Sequence, residues 1–176
     1  MRIIKKILIV VGVIIAVLLT AALFMSKDYA VEKSITINKP KTQVYDYVKY
    51  LKNQNDYSKW ASMDPAMKKT FTGTDATPGF VAAWESKNKE VGRGAQEIKK
   101  IDANRIDYEL RFEEPMTDVA DAYMSTDSVA PDKTLVKWQI SGHMKYPLNI
   151  MGLFMNKMIG GDLETGLENL KRLQEK

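Results

Sequence analysis

His143 is the only histidine in this 176-residue chain, and there is no cysteine. Residue count therefore removes a Cys–His nucleophile and any multi-histidine metal centre. A general-base role is the chemistry left to His143. It comes after the run "TLVKWQISG", whose alternation turns His143 away from Trp138 and Ile140 and toward solvent. Carboxylates pair in sequence at Glu113-Glu114 and near Asp118 and Asp121. Neighbours along a strand face opposite ways, so such pairs cannot work on one bond, and their place is the loop edge around Pro115. The stretch "NKEVGRGAQEI", Asn88 to Ile98, carries a Gly-x-Gly at Gly92 and Gly94. A phosphate cradle needs a further glycine or a Gly-Lys-Ser/Thr ending, and a helix after it. The residues after Gly94 alternate like a strand instead, so the glycines read as sheet positions where bulk would not fit. No catalytic residue and no metal or cofactor site is predicted.

The elements that must position any site begin with a segregated apolar run. Residues 7–25, "ILIVVGVIIAVLLTAALFM", hold no charge. As a helix they span about 28 Å at ~1.5 Å per residue, close to the ~30 Å hydrocarbon core of a bilayer. Arg2, Lys5 and Lys6 precede the run, which predicts a cytoplasmic N-terminus at 1–6, a transmembrane anchor at 7–25 and an extracytoplasmic domain from about residue 30 to 176. The competing reading is a cleaved signal peptide, for which Thr20-Ala21-Ala22 is a poor cleavage site. Most of the formal charge of +4 belongs to the residues ahead of the apolar run. Without Arg2, Lys5 and Lys6, 23 basic residues face 22 acidic ones. A nearly neutral domain with only scattered basic pairs excludes the basic field of a nucleic-acid binder.

The remainder, 45% hydrophobic over the whole chain, suffices for one domain. "VEKSITIN" alternates as a strand. Asn38 is placed to cap a helix starting near Pro40, with Val44, Tyr45, Val48 and Leu51 at helical spacing, and a second short helix or turn runs to Trp60. "MKKTFTG", "GFVAAWES", "GAQEIKKI", "RIDYELRF", "VADAYMST" and "TLVKWQISGHM" read as an antiparallel meander. From Pro147 the period becomes helical, with Leu163, Leu167, Leu170 and Leu173 on one stripe and a break or kink expected at Gly160-Gly161.

This order is α+β. With "VEKSITINKPKTQVYDYV", "YSKWASMDPAM", "GFVAAWESKNKEVGRGAQEI", "RIDYELRFEEP", "KTLVKWQISGHM" and "GDLETGLENLKRL", the chain from about Ala30 resembles the START-like, or SRPBCC, superfamily, in particular its polyketide-cyclase/dehydrase and lipid-transport branch. The resemblance implies a helix-grip fold, in which a curved antiparallel sheet wraps a long C-terminal helix and encloses a cavity for an apolar ligand. It also makes "EVGRG" part of the sheet.

Strand parity supplies the wall: Phe80 and Trp84, then Tyr108, Leu110 and Phe112, then Trp138 and Ile140, with Gln96 turned inward beside Ile98. Trp84, Tyr108 and Trp138 carry polar tips that need a partner in the protein or the ligand. Met144, Met151, Met155 and Met158 add adaptable thioethers from the C-terminal segment. The expected function is a membrane-anchored binding module for a lipid-like or polycyclic apolar molecule. The alternatives are a cyclase/dehydratase-like enzyme using the same cavity, or a protein-interaction groove.

Overall fold

The structure is a computed structural model, described over residues 2–176. Helix α1 (Arg2–Leu23) is followed by strand β1 (Asp28–Ile37), helix α2 (Lys41–Val48), a 3-10 turn at Leu51–Asp56 and the short helix α3 (Lys59–Met63). Six strands come next: β2 (Lys68–Thr72), β3 (Val81–Glu85), β4 (Arg93–Ile101), β5 (Arg105–Glu114), β6 (Asp118–Ala130) and β7 (Lys133–His143). A 3-10 turn at Leu148–Met151 leads into the long helix α4 (Gly152–Gln174).

The seven strands form one antiparallel curved sheet in the order β1-β7-β6-β5-β4-β3-β2, with α4 gripped against it. The alternation that specifies each strand also fixes which face is covered. Ile106, Tyr108 and Leu110 of β5 and Val136, Trp138 and Ile140 of β7 are buried, whereas the residues between them are partly open. Leu163, Leu167 and Leu170 of α4 and Val44 and Val48 of α2 are almost wholly buried on that face. This end of the grip is solid core.

Register turns the inner face into rows that run across the sheet. Phe71, Ala82, Gln96, Leu110, Ala120, Gly142 and Tyr29 are successive partners from β2 to β1. One row toward the open end stand Lys69, Trp84, Gly94, Phe112 and Asp118. One row the other way come Ile98, Tyr108, Ala122, Ile140 and Val31.

Several local expectations need correction. Asn38 does not cap α2: the N-cap is Pro40, without a side-chain bond, and the backbone N–H of Asn38 donates to Glu175 Oε1 at 2.7 Å, tying the end of β1 to the end of α4. Gly160-Gly161 does not break α4, because no proline or inserted side chain interrupts the ladder there. The sixth strand is longer than "VADAYMST" and turns directly into β7 around Pro131 and Asp132. In "EVGRG" only Arg93 and Gly94 are strand. Val91 and Gly92 close a turn whose amides donate to the Asn88 carbonyl at 3.0 and 2.9 Å, and Gly92 holds φ +63°, a left-handed value that favours glycine.

Candidate functional site

Between the sheet and the first half of α4 lies a cavity of about 630 Å³, within the ~300–1,000 Å³ range of small-molecule sites. It occupies the two rows nearest the open end of the sheet and reaches deeper at Ala122, Ile140 and Trp138. Leu51, Trp60 and Ala61 close one side, and Leu148, Met151, Met155 and Met158 the other.

Three glycines shape this wall by giving up their side chains to an aromatic ring. A Cβ at Gly94 would stand 2.6 Å from the Trp84 ring and 2.5 Å from the Arg111 carbonyl, one at Gly142 2.8 Å from the Tyr29 hydroxyl, and one at Gly166 of α4 2.7 Å from the Trp138 ring. Each glycine is therefore a seat; in the "GRG" spelling Gly94 is one, whereas a Cβ at Gly92 would meet the Glu114 carbonyl. Trp138 is wedged further by Tyr57 and Trp60, with ring centroids at 5.8 and 6.1 Å in edge-to-face geometry. Trp84 packs edge-on against Phe112 at 6.1 Å, and its indole donates to the Val91 carbonyl at 3.2 Å.

Of the eleven residues expected on the wall, Trp84, Gln96, Leu110, Phe112, Trp138, Ile140, Met151, Met155 and Met158 line the cavity. Phe80 and Tyr108 do not. Phe80 precedes β3, accepts from the Ile98 amide at 2.9 Å and is 1% exposed, so it stands one row deeper, in the core, while Phe71, on which it stacks at 6.1 Å, lines the space. Tyr108 faces inward as parity requires, but in the row that solid core fills. Burial pushes its phenol well above the ordinary tyrosine value, and does the same for the neighbouring Tyr57.

Strand parity did not reach other parts of the wall. Tyr29 sits at the start of β1, Trp60 on α3, and Lys69 and Phe71 alternate in "MKKTFTG" on the inner face of the edge strand β2. Burial raises the Tyr29 phenol pKa, and the Asp118 charge raises it further.

The mouth is polar. His143 is more than half exposed, and its Nδ1 lies 2.7 Å from Asp28 Oδ1, its partner across the β1–β7 ladder. Glu114, Asp118 and Lys145 stand at the same end. No group of three or more metal-ligating side chains occurs among the described residues.

Beyond the mouth, Asn149 is 1% exposed and its amide donates to the carbonyls of Ala22 and Met25 at 2.7 and 3.1 Å. The C-terminal end of α1 is thereby fixed to the 3-10 turn before α4. From Ile3 to Leu23 this helix is long and apolar enough to cross a membrane, and it is almost entirely uncovered by the domain.

A cavity enclosed by a bent antiparallel sheet and a long C-terminal helix defines a helix-grip fold. Residues 29–175 match the sequence model of the family described as polyketide cyclase/dehydrase and lipid transport, and the chain belongs to that family. No curated protein matches the chain in sequence.

Solved structures share the fold at low identity. Truncated norcoclaurine synthase from Thalictrum flavum superposes with a TM-score of 0.64 at 9% identity, covering 83% of this chain and 92% of that one. A Thermobifida fusca protein gives 0.59 at 18%, covering 82% and 92%, and a Thermus thermophilus protein 0.59 at 15%, covering 82% and 96%.

Proposed function

We propose that this chain is a membrane-anchored binding module for a lipid-like or polycyclic apolar small molecule, held between the sheet and α4. The cavity carries the reading. Its interior wall is built from Leu110, Phe112, Ile140 and the methionines of the C-terminal segment, and three glycines keep it open instead of filling it. Family membership supports an apolar ligand. The anchor is α1, with its N-terminus in the cytoplasm and the domain on the extracytoplasmic side, as Lys5 and Lys6 ahead of the apolar run favour. Asn149 supports a fixed seat on the bilayer. The bond to the end of α1 places exposed Tyr146, Leu148, Leu153 and Phe154 beside the end of that helix, where apolar side chains leave water by meeting lipid.

Membranes from cells making the full chain, washed with alkaline carbonate, should retain it at full length. Protease added to spheroplasts should digest the domain and spare a cytoplasmic control. Mass spectrometry of an apolar extract of the purified chain should then find one molecular class in near-stoichiometric amount. Loss of the chain to the wash, or a mature N-terminus near Leu23, replaces the anchor with a cleaved signal. An extract no richer than that of an unrelated membrane protein refutes the binding module.

One observation favours an enzyme of the cyclase/dehydratase kind: His143, held by Asp28, stands at the rim of the cavity with Asp118. In that reading His143 moves the proton, and His143→Ala abolishes turnover while leaving binding intact.

A further inference from the structure

Gln96 is only 7% exposed, its side-chain amide takes part in none of the hydrogen bonds of the described residues, and unlike the sealed Thr126 Oγ1 and Asn149 Oδ1 it opens on the cavity. It stands between Ala82 of β3 and Leu110 of β5, facing the cavity, in a row otherwise composed of apolar side chains, glycine and Tyr29. A buried amide is normally paired. A molecule that fills the cavity displaces whatever water serves this amide, and binds well only by replacing those hydrogen bonds.

Lys69 supplies the second observation. It lines the same cavity from β2, half-buried, two residues from Phe71, which heads the Gln96 row. Its ammonium has no carboxylate within 4.0 Å among the described residues, unlike Lys68 beside it, which pairs with Glu85 at 3.6 Å. Asp118 ends the row that Lys69 begins, four strands away on β6, and none of the cavity's carboxylates pairs with Lys69. Glu90 is exposed on the β3–β4 loop, and Glu114, Asp118, His143 and Lys145 stand at the mouth. The strands β2 to β5 thus offer one buried amide, Gln96, and one cation without a carboxylate partner, Lys69, on neighbouring rows; the other uncharged polar groups on the cavity, Gln54, Asn55 and Ser58, come from the segment that closes its far side.

From this donor set we infer that the ligand is an amphipathic carboxylate. Its acid group accepts from the Gln96 amide and neutralises Lys69, while its hydrocarbon lies along Leu110, Ile140 and the α4 methionines. The inference rests on the binding-module reading and narrows it from any apolar molecule to an anionic one. It also explains why the wall departs from uniform apolarity at these two positions, since a neutral lipid would leave both polar groups unpaired.

The three tryptophans of the chain, Trp60, Trp84 and Trp138, all line the cavity, so tryptophan quenching reports its occupant. The test uses the full chain in nanodiscs and three bromine-labelled amphiphiles of equal chain length, a carboxylate, an alcohol and a quaternary ammonium, at equal mole fraction in the bilayer. Saturable quenching by the carboxylate at roughly tenfold lower mole fraction than by the alcohol is expected. Lys69→Met should erase that preference, and Gln96→Leu should weaken the carboxylate several-fold while leaving the alcohol unchanged.

Equal quenching by all three head groups, or a carboxylate preference that survives Lys69→Met, overturns the inference and leaves the apolar site standing. Absence of saturable quenching by any amphiphile overturns the binding module itself. Near-ultraviolet circular dichroism of both variants, matched to the parent, shows that the wall has kept its packing.

Discussion

Gly161 and Gly166 occupy the same helix yet answer opposite questions when changed to alanine. At Gly161 an added Cβ meets nothing within 4 Å, so Gly161→Ala contributes only the helix-propensity gain, about 1 kcal/mol. At Gly166 the same methyl gains as much from the backbone but arrives 2.7 Å from Cζ3 of Trp138. Carbon pairs rest at about 3.5–4.0 Å, so the ring or the helix must give way by about 1 Å. Tyr57 and Trp60 hold the indole from two sides, and the remaining free volume is the cavity.

Overpacking of this kind costs about 1–3 kcal/mol, which puts Gly166→Ala below Gly161→Ala by that amount. Thermal unfolding of the full chain in nanodiscs, read by tryptophan fluorescence, resolves the difference. For a domain of this size 1 kcal/mol is about 2–4 °C, so Gly161→Ala should rise by that much and Gly166→Ala should fall at least as far below it. Gly166→Ala should also weaken apolar-ligand binding, because the displaced ring enters the ligand's space. If both variants rise together, Trp138 is not seated on Gly166, and the wall as described is wrong.

Other consequences concern charge and pH. His143→Ala should cost less than about 1 kcal/mol, since the partner Asp28 is exposed and surface ion pairs contribute little. A loss above about 2 kcal/mol in denaturant unfolding would show a buried role. Tyr57 and Tyr108 have phenols raised by burial, so the folded state holds their protons at pH values where the unfolded chain releases them. The stability they contribute is therefore complete below pH ~10, the ordinary tyrosine value, and declines as pH rises above it. Phenolate absorbance from these two residues should appear only with unfolding, and phenolate absorbance from all eight tyrosines while the fold persists would contradict their burial.

The fold was legible because alternation and helical stripes are local. Val136, Trp138 and Ile140 read inward from β7 alone, and Leu163, Leu167 and Leu170 read as one face of α4 alone. Parity, however, names a face and not a place along it. Tyr108 and Leu110 share the inner face, yet α2 and the leucines of α4 fill the space over the first and leave the second open, which only long-range packing decides. Phe80 failed for the same reason: the Ile98 amide donates to its carbonyl, so it faces inward as parity requires but in the Ile98–Tyr108 row, which core fills.

The seat for Trp138 at Gly166 and the Asn149 bonds to Ala22 and Met25 join residues 28 to 127 positions apart. No local pattern carries such pairs. Lys69 was within reach, since it alternates with Phe71, but a lysine next to a lysine reads as solvated until its neighbours are known.

A binding site in the space between sheet and helix must take up an apolar molecule. Titration of an apolar fluorophore into nanodiscs holding the full chain, followed by energy transfer from Trp60, Trp84 and Trp138, tests it most directly. One saturable site per chain is expected, lost when Ala82→Phe fills the cavity from β3 and weakened by Trp138→Ala, with circular dichroism of Ala82→Phe unchanged. Transfer that never saturates, or that Ala82→Phe leaves untouched, would mean that the cavity holds no ligand and that the grip encloses only its own core.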